Sequence, residues 1–106
     1  MSKKPMWCLV MFDLPVDTAR HRREANAYRR MLLDLGFSMV QFSVYAKYTP
    51  AGLSDVTTIG QVRAGIPPQG NVRMLFLTDK QWSRTFHFSN GTPTKAEEKP
   101  EQLSIF

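Results

Sequence analysis

One carboxylate stands out by its setting. In "WCLVMFDLP", residues 7–15, a run of bulky apolar residues stops at Asp13, two residues before Pro15. An Asp in that position commonly begins a loop, where its side chain bonds the nearby backbone. The same carboxylate could ligate a hard cation. Mg²⁺ takes six oxygens at roughly 2.0–2.1 Å and keeps several waters. A single carboxylate is therefore a poor site, and two copies of Asp13 meeting across a two-fold axis are a better one. A cation held there would polarise a phosphodiester and acidify an attacking water. Asp13 is the candidate catalytic and metal-binding residue, with Mg²⁺ shared between two chains as the expected cofactor.

The second group is cationic. Arg22, Arg23, Arg29 and Arg30 fall on one side of a helix expected over 18–36, and Ala25, Tyr28, Met31, Leu32 and Leu35 fall on the other. Exposed arginines are usually solvated and contribute little singly. Four on one face of a chain of net charge +5, doubled to about +10 (twice +5) in a dimer, suit a phosphate backbone. No aromatic residue interleaves with them, which favours backbone contact with duplex DNA over stacking on single-stranded bases.

Other constellations are missing. There is no phosphate-cradling glycine loop, no Cys/His metal spacing and no Ser-His-Asp set. His21, at the margin of the helix's apolar side, and His87, between two phenylalanines, read as structural or solvated. Ser43 and Tyr45 read as packing or hydrogen-bonding groups in a strand. The lone Cys8 lies in an apolar run, so a buried, reduced thiol is expected.

The elements that position these residues follow from periodicity. Residues 6–13 read as a strand with two apolar faces: Trp7, Leu9, Met11 and Asp13 on one, Met6, Cys8, Val10 and Phe12 on the other. Asp17 or Thr18 can cap the first helix, and Gly36 follows its end. "FSMVQFSVYAKY", residues 37–48, reads as two strands or one strand bent near Gln41. A second helix is expected from near Leu53 to Gly65, with a fair apolar stripe through Leu53, Val56, Ile59 or Gly60, and Val62 or Arg63. "NVRMLFLTD", residues 71–79, reads as a strand ending on Asp79, with a short helical turn after it.

The order βαββαβ is the ferredoxin-like split βαβ pattern, an α+β fold with a four-stranded antiparallel sheet and helices on one face. The first strand is apolar on the other face too, so a second copy is expected to cover it. Residues 1–86 make the domain. Residues 87–106 read as a polar linker with an Asn90-Gly91 turn, ending in "QLSIF". With 106 residues, no run of about 20 apolar residues and no signal-peptide pattern, the chain reads as cytoplasmic, with no membrane partner.

"VMFDLPVDT", "RREANAYRRMLLDLGFSMVQFSVYAK" and "IPPQGNVRMLFLTDKQW" together resemble CRISPR-associated protein two, the endoribonuclease family that forms the small subunit of the spacer-acquisition machinery, in its type II-like form. The likeness covers residues 6–83 and is carried by "FDLP", "GF…Q-x-SVY" and "P-x-GNVR" in combination. It implies a ferredoxin-like homodimer that bridges two dimers of the integrase subunit and helps measure a DNA duplex before insertion. It also implies metal-dependent cleavage of RNA or DNA, with the family's metal-binding aspartate falling on Asp13. In the family the C-terminal segment often crosses to the partner's sheet, and "QLSIF", Gln102 to Phe106, could do so. A rival reading of these five residues is a docking motif for the replication sliding clamp. The alternative for the whole chain is a ferredoxin-like toxin-type ribonuclease or interaction module outside CRISPR.

Overall fold

A computed structural model of the chain describes residues 4–100. Its elements run β1 (Met6–Asp13), α1 (Ala19–Asp34), β2 (Ser38–Gln41), β3 (Val44–Thr49), α2 (Val56–Ala64), β4 (Asn71–Leu77), α3 (Asp79–Ser83), β5 (His87–Ser89) and β6 (Thr92–Thr94), with a 3₁₀ turn at Gly52–Ser54. The first four strands form one antiparallel sheet of order β2-β3-β1-β4. With α1 and α2 as its crossovers, this is the ferredoxin-like arrangement.

The inner side of β1 builds the main core. Cys8, Val10 and Phe12 meet Tyr28 and Leu32 of α1, Val62 of α2, and Phe37 and Tyr45. Phe12 stacks on Tyr45 at 5.7 Å and meets Tyr28 edge-on at 5.4 Å between ring centroids. α1 starts where a hydroxyl can serve its free amides: Thr18 Oγ1 accepts the His21 N–H at 3.0 Å. At its other end Gly36 takes φ 96°, and Lys47 Nζ donates to the Leu35 carbonyl at 2.8 Å. A cation there favours the negative end of the helix dipole.

The expectations for the second helix and for Ser43 need correction. The second helix begins at Val56, because Asp55 Oδ1 accepts the Thr58 N–H at 3.1 Å and caps it there, while Leu53 stays in the preceding 3₁₀ turn. Only the second half of the expected stripe faces inward: Leu53 is 64% and Val56 73% exposed, whereas Ile59 is half-buried and Val62, with Thr58, is buried. His21 is half-buried at the edge of the helix's packed side, with Nδ1 2.6 Å from Asp17 Oδ1. Residues 37–48 do split into two strands, but Ser43 is in the turn between them, at φ 62°.

The second sheet face differs most from expectation. Trp7, Leu9 and Ala46 pack with Trp82 of α3, and Val40, Val44, Tyr48, Leu77 and Ala96 gather round them. β4 stops at Leu77 rather than at Asp79. Thr78 and Gln81 then form a capping box that turns the chain back over the sheet. Asp79 Oδ1 accepts from Trp7 Nε1 at 2.9 Å, which pins α3 to β1. The chain's own α3 and Ala96 thus cover one half of the face that the sequence assigned to a second copy. The other half, around Met11 and the 43%-exposed Leu75, stays open.

Residues 87–94 form the β5–β6 hairpin, not a linker, with Asn90 and Gly91 at φ 52° and 78° as its turn. The Gln102 to Phe106 segment, and with it both the crossing strand and the clamp-docking motif, lies outside the described residues. No helix among the described residues is long and apolar enough to cross a membrane.

Two outcomes test this packing. Leu32, fully buried, should cost about 2–5 kcal/mol on change to Ala. The same change at exposed Leu53 should stay within about 0.5 kcal/mol, both read by urea unfolding. Burial also pushes the Cys8 thiol up to about 12 and the Tyr28 hydroxyl up to about 12. The folded chain then holds protons that the unfolded chain releases above the ordinary values of 9.0 and 10.0, so stability should fall as pH rises past about 9. Cys8→Ala should flatten the first part of that decline in unfolding curves taken across alkaline pH.

Candidate metal and nucleic-acid site

Asp13 ends β1 as an exposed residue opposite Asn71 of β4. Its backbone is held from two sides. The Phe12 N–H donates to the Ser43 carbonyl at 3.0 Å, which draws in the β2–β3 turn. On the other side Gly70 precedes β4 at φ 105°. A Cβ at Gly70 would stand 2.7 Å from both the Asp13 carbonyl oxygen and Leu14 Cδ2, so the close approach needs glycine. The segments "FDLP", "Q-x-SVY" and "P-x-GNVR" therefore converge on one end of the sheet, around Asp13.

Register decides what faces the carboxylate. β4 pairs with β1 so that Asn71, Arg73, Leu75 and Leu77 stand opposite Asp13, Met11, Leu9 and Trp7. Val72, Met74 and Phe76 turn the other way, into the helix-covered core. Asp13, Asn71 and Arg73 thus share the open end of the second sheet face. Among the described residues there is no group of three His, Cys, Asp or Glu side chains that could hold a metal ion. One chain offers a hard cation a single carboxylate, short of the oxygen set that Mg²⁺ takes. A second copy opposed to it would raise the count to two carboxylates.

The four arginines are elsewhere. Tyr28 and Leu32 bind α1 to the first sheet face, so the opposite side of the helix points outward. Arg22, Arg23 and Arg30 are exposed there and Arg29 is half-buried. Two are partly engaged: Arg22 Nη1 donates to the Val16 carbonyl at 3.1 Å, and Arg29 Nη1 to Asn26 Oδ1 at 2.6 Å. Among the described residues no ion pair within 4.0 Å joins any of the four arginines to Asp13.

Neither histidine joins either group. The hydrogen bond from His21 holds the Asp17 carboxyl below its ordinary value, and His21 Nε2 is buried without a partner. His87 Nδ1 lies 3.3 Å from the Lys95 carbonyl. Tyr45 is a core residue, as its apolar strand implied. Two residues of the site escaped the sequence: Gly70, whose role needs the tertiary approach of Asp13, and Arg73, whose face could have been read from the two-residue period of β4.

A ferredoxin-like α+β domain with a lone exposed carboxylate closing its first strand is the class that fold and site define. The chain belongs to the CRISPR-associated Cas2 family: the family model described as CRISPR associated protein Cas2 matches residues 6–85. A "CRISPR-associated endoribonuclease Cas2" of Paracidovorax avenae is 40% identical over 101 residues, covering 95% of this chain and 94% of the relative. Relatives of the same name from Flavobacterium psychrophilum and Streptococcus mutans are each 33% identical, covering 97% and 92% of this chain and 90% of either relative.

The glycine argument is testable by contrast. Gly70→Ala should destabilise by about 1–3 kcal/mol in urea unfolding, through a left-handed backbone and the clash with Asp13. Gly60→Ala, inside α2 with nothing within 4 Å of the added carbon, should stabilise by about 0.5–1 kcal/mol.

Proposed function

We propose that this chain acts in CRISPR spacer acquisition as a homodimeric DNA-binding scaffold that bridges two dimers of the integrase subunit. The observation that carries this reading is the division of the surface. Arg22, Arg23 and Arg30 of α1 are exposed on one side, with Arg29 half-buried beside them, while an apolar strip of Met11 and Leu75 lies open on the second sheet face with Asp13 at its end. Pairing two such strips would bury the apolar surface and leave both arginine faces free for duplex backbone. Net charge +5 per chain favours the same partner.

A second reading is Mg²⁺-dependent endonuclease activity on RNA or DNA. The exposure of Asp13 and the printed name of the relatives favour it. In that reading Asp13 from each of two copies would ligate the ion, which supplies Lewis acidity at a phosphodiester. The scaffold is ranked first because, among the described residues, no group of three His, Cys, Asp or Glu side chains gathers around Asp13.

A reconstituted integration reaction separates the two. Reversing Arg22, Arg23, Arg29 and Arg30 to Glu should weaken duplex binding by about tenfold or more at moderate salt and suppress integration, with circular dichroism unchanged. Asp13→Ala should leave integration within about twofold of wild type while abolishing any cleavage that EDTA also abolishes. Integration that survives the charge reversal would contradict the scaffold. Cleavage that survives Asp13→Ala would contradict the nuclease site.

A further inference from the structure

We propose that the outer face of α2 seats a helix of the integrase subunit, one on each copy of this chain. This deepens the proposed function and rests on its claim that the chain bridges integrase dimers. α2 turns Val62 into the main core and buries Thr58, so the opposite side of the helix faces away from the sheet. At 3.6 residues per turn Val56, Gly60 and Ala64 line that outer side, with Leu53 in the 3₁₀ turn just ahead of them. All four are solvent-facing apart from their place in the chain: Val56 and Leu53 are the most exposed large aliphatic residues among those described, and Gly60 and Ala64 are exposed too. No charged residue stands between Asp55 and Arg63. A helix without a polar, charged face is normally covered on both sides.

Gly60 is the sharper sign. Glycine is a poor residue in a helix interior, and it is kept where another backbone must come close. A Cβ at Gly60 would meet nothing within 4 Å, so no contact inside the chain calls for it. A helix crossing over Gly60 would call for it, with Val56 packing one turn before the crossing. The chemistry of the face selects its occupant. With no cation between Asp55 and Arg63 it has nothing to offer a phosphate backbone, which suits the α1 arginines instead. It lies on the helix side of the sheet, whereas the proposed second copy docks on the other face, so a dimer presents two such seats for two integrase dimers. Its ends complement an ordinary helix laid antiparallel. Asp55 marks the start of α2 and Arg63 its last turn, and helices favour acidic residues at their start and basic ones at their end. The partner's basic end then meets Asp55 and its acidic end meets Arg63, which among the described residues pairs with no carboxylate.

The test is a calorimetric titration of the purified integrase subunit from the same CRISPR locus into the full chain. Val56→Glu and Gly60→Gln should each weaken binding by about tenfold or more, and Gly60→Ala by less. Glu suits a first helical turn and Gln a helix interior, so circular dichroism, sedimentation and duplex DNA affinity should match wild type. Gly60→Ala separates docking from folding, because it should stabilise the free chain and yet bind the integrase subunit more weakly. Unchanged integrase binding in Val56→Glu and Gly60→Gln overturns the inference and leaves the scaffold standing. Loss of duplex affinity in these variants with integrase binding intact also overturns it, in favour of nucleic acid on α2. A wild type that sediments above a dimer and returns to a dimer in Gly60→Gln overturns it in favour of a second copy on α2. A wild-type chain that does not bind the integrase subunit overturns the inference and the bridging role together.

Discussion

The site depends on how the main chain is gripped at Phe12 and Asp13. β1 is a central strand, paired with β3 on one side and β4 on the other. At its last residues the grip tightens: the Ser43 carbonyl takes the Phe12 N–H, and Gly70 abuts the Asp13 carbonyl. Both contacts use residues in left-handed backbone, at φ 62° and 105°. Such conformations are uncommon for side-chain-bearing residues and persist where surrounding structure holds them. The carboxylate is thus exposed but carried on a rigid backbone, a suitable arrangement for a group that must meet a ligand in one geometry.

The same strand separates two kinds of surface. Its inner residues lock α1 and α2 to the sheet, which turns the arginines of α1 outward. Its outer residues divide again. Trp7 and Leu9 are roofed by Trp82, whose helix is tethered through the Trp7–Asp79 hydrogen bond. Met11 and Asp13 lie beyond that roof. The proposed second copy then has a defined place to dock, the uncovered end of the sheet rather than its whole face, and that end carries Asp13, Asn71 and Arg73.

Most of this plan was legible in the chain. Thr18 and Gly36 marked α1, and the alternation of "WCLVMFD" showed that both faces of β1 must be covered. What the sequence hid were consequences of distant contacts. Nothing local says that Trp82 returns over Trp7 rather than facing solvent. The α2 stripe was misjudged because Leu53 and Val56 look like an inward face, whereas the Asp55 cap shifts the helix start past Leu53. Strands of three residues, as in β5 and β6, are too short to show a period. Asp13 was visible as an anomaly of type, a charge closing an apolar run. Gly70 became meaningful only once β4 was laid against β1.

The central claim is that two copies pair through the uncovered end of the sheet. Sedimentation velocity at micromolar concentration on wild type and Leu75→Glu tests it most directly, because Leu75 is exposed in the middle of that strip. The account predicts a dimer for wild type and single chains for Leu75→Glu, with the far-ultraviolet spectrum of the variant unchanged. A wild type that sediments as single chains, or a Leu75→Glu chain that remains dimeric, would contradict it.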